Sequence, residues 1–232
     1  MVEKRIIITG SSSGIGNLLV NELSRFNKID ALFYENKPEI LFASKVKAIH
    51  LNLKDESAIS EYIESVKNSE EEIVFIHAAA ISPNKLITDI SYDDLINTFS
   101  VNTFSAFYFA KKLIPIMMGQ NKGSFIFLSS AASKLNIPGT SVYSTSKMSL
   151  EQLSNQIVGE YSKFNIRSNV VKLGYFNSGL IKKITPKVVS TIISRIPSQK
   201  LGDINEIPKV VQLILECDYI NGSVISIDGG IH

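Results

Sequence analysis

Short apolar, β-branched runs recur along this chain and alternate with longer stretches in which apolar residues return every three or four positions. The runs predict strands over Arg5–Thr9, Ala31–Tyr34, Ala48–Leu51, Ile73–His77, Ser124–Ser129, Ser168–Lys172 and Val224–Ile227. The helical period predicts helices over Gly14–Phe26, Glu56–Lys67, Tyr92–Met118, Tyr143–Phe164 and Ile204–Glu216. Several strands are apolar throughout, which suits a sheet covered on both faces. The pattern therefore predicts an α/β fold, a single doubly wound domain with a seven-stranded parallel sheet and helices on both sides. In such sheets a ligand lies at the carboxyl ends of the strands, where the strand order reverses.

Composition narrows the function classes. At 232 residues, with scattered glycines and prolines, no linker and no repeat, the chain reads as one domain over 1–232. A formal charge of +2 is too balanced for a dedicated nucleic-acid binder. No apolar run approaches the ~18 residues that span a bilayer, and the opening residues do not read as a signal peptide. We expect no membrane partner and a cytoplasmic, reducing location, since the lone Cys217 has no disulfide partner and reads as a small buried thiol near a helix end.

The first strand runs directly into Thr9-Gly10-Ser11-Ser12-Ser13-Gly14-Ile15-Gly16 and then into a helical pattern. Glycines permit a tight turn and a close backbone approach to a pyrophosphate, whose charge is stabilised by free amides at a helix start. The segment reads as a dinucleotide-binding loop. Gly10-Ser11-Ser12-Ser13-Gly14 also fits the serine-hydrolase elbow. That chemistry needs an acid and then a histidine downstream, and of His50, His77 and His232 two come early and the third is the last residue.

Tyr143 and Lys147 stand one helical turn apart, just after the strand that ends in Ser129-Ser130. Chance alone supplies such a pair, and Tyr108 with Lys112 is a second, set in an apolar helical stretch where the tyrosine should pack. Around Tyr143, a hydroxyl, a phenol and an ammonium can converge at a strand's carboxyl end. Reducing a carbonyl requires a proton for oxygen as hydride reaches carbon, and a phenol with a pKa near 10 can supply it when a neighbouring cation favours its anion. Ser130 would donate to the substrate oxygen.

Together, Thr9-Gly-x3-Gly-Ile-Gly16, Asn102, Ser130, Tyr143-x3-Lys147, Ile196-Pro197 and Asp228-Gly229-Gly230 resemble the short-chain dehydrogenase/reductase family over essentially the whole chain. The resemblance implies a Rossmann-type sheet, NAD(H) or NADP(H) as cofactor, and a small-molecule ketone or secondary alcohol as substrate. It implies that Tyr143 is the general acid/base, that Lys147 holds the nicotinamide ribose and lowers the phenol pKa, that Ser130 polarises the substrate, and that Asn102 holds a water in a proton relay. The nearest likeness is to the group of 3-oxoacyl-carrier-protein reductases. Carrier-protein docking would want a basic cluster beside the site entrance, where the sequence offers only Lys122 and Lys163.

Three departures stand out. His77-Ala78-Ala79-Ala80 replaces the family's Asn-Asn-Ala-Gly, which removes a side chain that ties strands together and adds a methyl near the cofactor ribose. His77 itself reads as a structural hydrogen-bonding residue. Leu173-Gly174 replaces Pro-Gly, with Phe176 expected to reach the carboxamide through its backbone and Ser178 to lie near the pyrophosphate. The link between the second and third strands is short, which predicts a helix trimmed to Lys37–Ser44.

Cofactor choice is read from Tyr34-Glu35-Asn36-Lys37. Glu35 lies nineteen residues after Gly16, near the spacing of a ribose-binding acid. This leans towards NAD, with Asn52 and Leu53 as adenine contacts. The segment Ser178–Gln199 is expected to form a lid, apolar through Leu180, Ile181, Ile184, Val188, Val189, Ile192 and Ile193, and basic through Lys182, Lys183 and Lys187. Phe104, Phe107, Phe109, Ile114, Met117, Leu150, Leu153, Ile157 and Tyr161 exceed what one small core needs, and the resemblance implies a homodimer or homotetramer through these helices. No metal is expected. The alternative of another class is a cofactor-binding regulatory or scaffold protein without turnover, which the altered His77–Ala80 stretch keeps open.

Overall fold

Each central strand has two apolar faces, and the computed structural model, which describes residues 3–12, 14–178 and 185–231, shows what covers them. Seven strands, β1 (Arg5–Thr9), β2 (Lys28–Phe33), β3 (Val46–His50), β4 (Ile73–His77), β5 (Gly123–Ser130), β6 (Ile166–Leu173) and β7 (Val224–Ile227), form one sheet in the order β3-β2-β1-β4-β5-β6-β7. All neighbouring pairs are parallel. The order reverses between β1 and β4, so the crevice expected to take a ligand opens above Thr9 and His77.

Side chains alternate faces with period two. Ile7, Phe75, Phe125 and Phe127 point to one side, against helices α2 (Glu56–Val66), α4 (Ser105–Gln120) and α5 (Ser141–Tyr161). Ile6, Ile8, Val74, Ile76, Ile126 and Leu128 point to the other, against α1 (Gly14–Leu23) and α7 (Glu206–Glu216). Phe75 stacks on Phe109 with ring centroids 4.7 Å apart. Each such side chain contributes about 1.5–3 kcal/mol on burial. Helices α3 (Tyr92–Phe99) and α6 (Pro186–Arg195) complete the described elements longer than one or two turns.

The structure corrects the sequence reading at several points. No helix forms over Lys37–Ser44; the segment runs irregularly, and Asn17 and Asn21 of α1 take up its polar backbone. Asn21 donates to the Glu39 carbonyl at 2.9 Å and accepts from the Leu41 amide at 2.8 Å, so one side chain replaces a turn of helix. The long helix expected over Tyr92–Met118 is interrupted by a π turn at Ser100–Phe104. Of the apolar residues thought surplus, Phe109, Ile114, Met117, Leu150, Leu153 and Ile157 are core, while Phe104 and Phe107 are exposed. Tyr108 hydrogen-bonds Ser60 at 2.9 Å. Cys217 caps α7 as expected of a helix end, but it is exposed. Among the described residues no helix is long and apolar enough to cross a membrane.

Two buried polar centres join the elements. On the face that carries Ile7 and Phe75, the Asp30 carboxylate accepts from Arg5 at 2.9–3.0 Å and from the Tyr62 hydroxyl at 2.7 Å. On the same face, at the carboxyl end of β4, His77 is fully buried, with Nδ1 2.9 Å from the Thr9 hydroxyl and Nε2 3.1 Å from the Asn102 carbonyl. A carbonyl only accepts, so Nε2 carries the proton and Nδ1 accepts from Thr9, whose oxygen in turn accepts from the Ala79 amide at 3.3 Å. The neutral imidazole thus ties β4 to β1 and to the π turn. Burial, followed by the charge of Lys147, pushes its pKa down to about 3.

Asp30→Ala strands a guanidinium and a phenol, and should cost about 3 kcal/mol or more in urea unfolding; a loss below about 1 kcal/mol would refute this role. His77 yields an acid limb. Its folded pKa lies below the unfolded value, so its contribution is complete above the unfolded pKa near 6.5 and is lost as pH falls towards 3. The stability contributed by Glu71 and Asp94, both held near 2 by lysine and serine partners, is complete above their ordinary values and begins to be lost only below about 4.5. Urea midpoints measured from pH 6.5 to 4.5 should therefore fall more steeply for wild type than for His77→Gln.

Candidate active site

The glycine loop is built by close approach. Gly10 has φ +68°, and a Cβ there would lie 2.6 Å from the Ala79 Cα. At Gly16 a Cβ would come within 2.1 Å of the Gly10 carbonyl oxygen, so the start of α1 can sit under the loop only with glycine there. Gly14 is different: nothing lies within 4 Å of where its Cβ would be, and its bare backbone opens outward. Ser11 is buried and anchors the loop to β2, its amide and hydroxyl both bonding the Leu32 carbonyl. Ser12 is exposed, Ile15 packs on the core, and Ser13 lies outside the described residues. This cradle fits a nicotinamide dinucleotide pyrophosphate: open backbone at a helix start, beside the strand-order reversal.

The other residues expected to hold the dinucleotide follow the strand ends. Tyr34, half exposed after β2, stacks on His50 with centroids 5.6 Å apart, and Glu35 and Lys37 are exposed beside it. Asn52 and Leu53 follow β3; the Asn52 side chain caps the Lys54 amide and Leu53 packs on the core. Ala78, Ala79 and Ala80 follow β4 and grade from half-buried through buried to exposed. After β6, a Cβ at Gly174 would lie 2.6 Å from the Asp228 Cα, so this glycine is required by the chain's own last turn. The Phe176 side chain is buried, its backbone bridges to Gly202, and the Ser178 amide donates to the Phe176 carbonyl. Of the expected lid, α6 is described, with Val188 and Lys187 exposed; Leu180, Ile181, Lys182, Lys183 and Ile184 lie outside the described residues.

Ser130, Tyr143 and Lys147 meet above the end of β5. Ser130 ends the strand and caps the single 3-10 turn Ala131–Ser133 by accepting from the Ala132 amide at 3.2 Å. Burial pushes the Tyr143 phenol up, and a hydrogen bond from Ser130 partly offsets this. Lys147 is buried, with Nζ 2.8 Å from the Leu128 carbonyl oxygen and 5.9 Å from the Tyr143 ring centroid. Desolvation brings its pKa down to about 7.

Asn102 does not touch Lys147 directly. Fully buried in the π turn, its amide pairs with the backbone of Ile81, accepting at 2.8 Å and donating at 2.9 Å, and donates to Ser146 at 2.9 Å. It thereby joins the loop after β4 to the helix that carries Tyr143 and Lys147. Lys122 and Lys163 are not beside the site. They precede β5 and β6, and a residue before a parallel strand stands at the amino edge, opposite the ligand edge.

One feature of the site escaped the sequence reading. Glu151, one turn beyond Lys147 on α5, accepts from Ser129 Oγ at 2.8 Å and Ser133 Oγ at 2.9 Å, and its second oxygen meets Lys172 Nζ at 3.0 Å. Lys172 is almost fully buried in β6, directly opposite Ser129 on β5. A lysine inside an otherwise covered strand was the available signal, since such a charge needs a partner.

Comparison with known proteins agrees with this geometry. A family profile described as enoyl-(acyl carrier protein) reductase matches residues 11–232. A 3-oxoacyl-[acyl-carrier-protein] reductase of Thermotoga maritima is 28% identical, over 98% of this chain and 97% of its own length. A tropinone reductase homolog of Arabidopsis thaliana is 26% identical, over 98% and 91%. A solved gluconate 5-dehydrogenase of Burkholderia cenocepacia, in complex with NADP and tartrate, superposes with a TM-score of 0.91 at 20% identity, over 100% of this chain and 96% of that one, and so shares the fold. With a glycine cradle, a Ser-Tyr-Lys cluster and a profile match running through nearly all its residues, the chain belongs to the short-chain dehydrogenase/reductase family of NAD(P)-dependent oxidoreductases acting on CH–OH and C=O groups.

Proposed function

We propose that Tyr143 is the proton donor and acceptor of this oxidoreductase, with Ser130 polarising the substrate carbonyl, and that the whole chain works as one catalytic unit. The observation that carries the reading is the joining of the Ser130 hydroxyl to the Tyr143 phenol one helical turn from the buried Lys147. A bound nicotinamide dinucleotide supplies or accepts the hydride. The chain's own residues do the rest. Gly10, Ser12, Ser13, Gly14, Ile15 and Gly16 hold the pyrophosphate on backbone amides, and Lys147 turns from the Leu128 carbonyl to the ribose hydroxyls. Ala78–Ala80, Gly174, Phe176 and Ser178 line the nicotinamide side, and Asn52 and Leu53 the adenine. Asn102 sets the height of the floor by fixing Ile81 and Ser146.

Tyrosine and lysine are perturbed in opposite senses, the phenol upward and the ammonium downward, because both are buried without a carboxylate beside them. Each charged form is disfavoured alone. A proton leaving Tyr143 creates an anion next to Lys147, and a phenolate–ammonium pair offsets part of the desolvation that opposes each charge separately. Lys147 thus lowers the cost of the anion by which the tyrosine alternates between acid and base.

The substrate we propose is a small ketone or its secondary alcohol, with a 3-oxoacyl compound as the first candidate. The similarity to the Thermotoga maritima 3-oxoacyl reductase supports this choice. The exposed Phe104 and Phe107, with Met148 half exposed on α5, support association of like chains through these helices. For the cofactor, the lean to NAD drawn from Glu35 finds no support in the solved neighbour, whose complex holds NADP. Glu35 and Lys37 are both exposed beyond β2, so a carboxylate that repels a 2′-phosphate and an ammonium that attracts one stand together. We assign Glu35 the role of acting against the phosphate.

Binding of NADH and NADPH is measured by fluorescence, followed by a screen of ethyl acetoacetate, diacetyl and keto-sugar acids. Tyr143→Phe should bind the cofactor normally and lose about 100- to 10,000-fold in kcat. Full turnover by that variant would overturn the assignment, and binding without turnover by wild type on every probe would favour the regulatory reading. Glu35→Arg should shift the ratio of kcat/KM by about tenfold or more towards NADPH; an unchanged ratio would remove Glu35 from cofactor selection.

A further inference from the structure

The carboxylate of Glu151, on the helix that carries Tyr143 and Lys147, gathers groups from the end of β5, the turn that follows it and β6. Ser129 adjoins Ser130, and Ser133 closes the turn that Ser130 caps. Glu151 itself lies one turn past Lys147 and two past Tyr143 on α5, and Lys172 lies two residues before Gly174. A buried ion pair is a poor source of stability compared with apolar side chains of similar volume, because desolvation cancels most of the attraction. What it supplies is geometry: three donors fixed on two oxygens define where a helix stands against two strand ends. Apolar packing there would tolerate sliding that a carboxylate with filled lone pairs does not.

We propose that Glu151 is a positioning residue for hydride transfer. The carboxylate, held by Ser129, Ser133 and Lys172, fixes the height of α5 over β5 and β6. It thereby sets the separation of the Tyr143 and Ser130 hydroxyls from one another and from the strand end at Gly174. A misplacement of about 1 Å can cost about 100-fold in rate. The inference rests on Tyr143 being the acid/base.

The test compares Glu151→Gln, the double variant Glu151→Gln with Lys172→Met, and Tyr143→Phe, using NADPH and the carbonyl probe that wild type reduces fastest. A glutamine is neutral, so it leaves the buried Lys172 ammonium without its countercharge, and its amide must donate to the two serine hydroxyls that now donate to the carboxylate. Glu151→Gln should lose about 10- to 100-fold in kcat, with the NADPH Kd within about twofold of wild type and a lower melting temperature. The double variant removes the stranded ammonium and should regain melting temperature while kcat stays low. That separation of stability from turnover is what a merely structural pair would not produce. Wild-type kcat in the double variant, or in Glu151→Gln alone, overturns the inference, as does NADPH binding that weakens in step with turnover. Full activity in Tyr143→Phe, or a wild type that reduces no probe, instead overturns the assigned chemistry, and this inference with it.

Discussion

The described site depends on one buried amide. Asn102 has no solvent to satisfy it, and it finds four polar contacts: both backbone groups of Ile81, the Ser146 hydroxyl, and His77 through its own carbonyl. These connect the end of β4, the loop that follows it and the helix that presents Tyr143 and Lys147. An unsatisfied buried polar group costs about 1–3 kcal/mol, so none of the partners can move without penalty to the others. The π turn belongs to this constraint. It widens the helix at the position where the side chain must reach Ile81 and Ser146 while the carbonyl meets His77.

Charge is treated differently on the two sides of α5. On the side of Tyr143, Lys147 is buried with its ammonium on the Leu128 carbonyl, and desolvation brings its pKa down to about 7. Towards the strands, Lys172 is buried with a full carboxylate, and the pair is close to neutral as a unit. The first arrangement leaves an ammonium responsive to whatever anion appears beside it. The second is electrostatically quiet and directional, suited to holding rather than reacting. His77 adds a third mode: a ring kept neutral by burial, serving as donor and acceptor in one plane.

Much of this was legible in the sequence, for physical reasons that can be named. β1 and β4 begin and end where their apolar runs do, because a strand buried on both faces admits few polar residues, and the half-exposed edge strand β7 matches its short β-branched run. The glycine loop was legible because only glycine tolerates the approach of Gly10 to Ala79 and of Gly16 to Gly10. The convergence of Ser130 and Tyr143 followed from strand-end logic. The π turn was not legible, since nothing in Ser100–Phe104 distinguishes it from α-helix. Nor was the side-chain support of Lys37–Ser44, which depends on asparagines in another element. Lys122 and Lys163 were misplaced because proximity in sequence to a site strand says nothing about which end of it a residue occupies. Glu151 and Lys172 lie in separate elements, and only their tertiary contact shows that each explains the other.

Gly174 connects the site to the order in which the chain is made. Its Cα lies against Asp228, its amide donates to the Ile227 carbonyl, and the Gly229 carbonyl accepts from the Ser198 amide just after α6. The turn at Asp228–Gly230 is synthesised after every element it touches, so the strand end at Gly174 and the segment around Ser198 lack this partner while the sheet from β1 to β6 can already pair. The glycine loop is among the first parts of the fold to leave the ribosome, and the packing of Gly174 on Asp228 is completed among the last. A nascent chain can thus acquire its core well before it acquires a closed site.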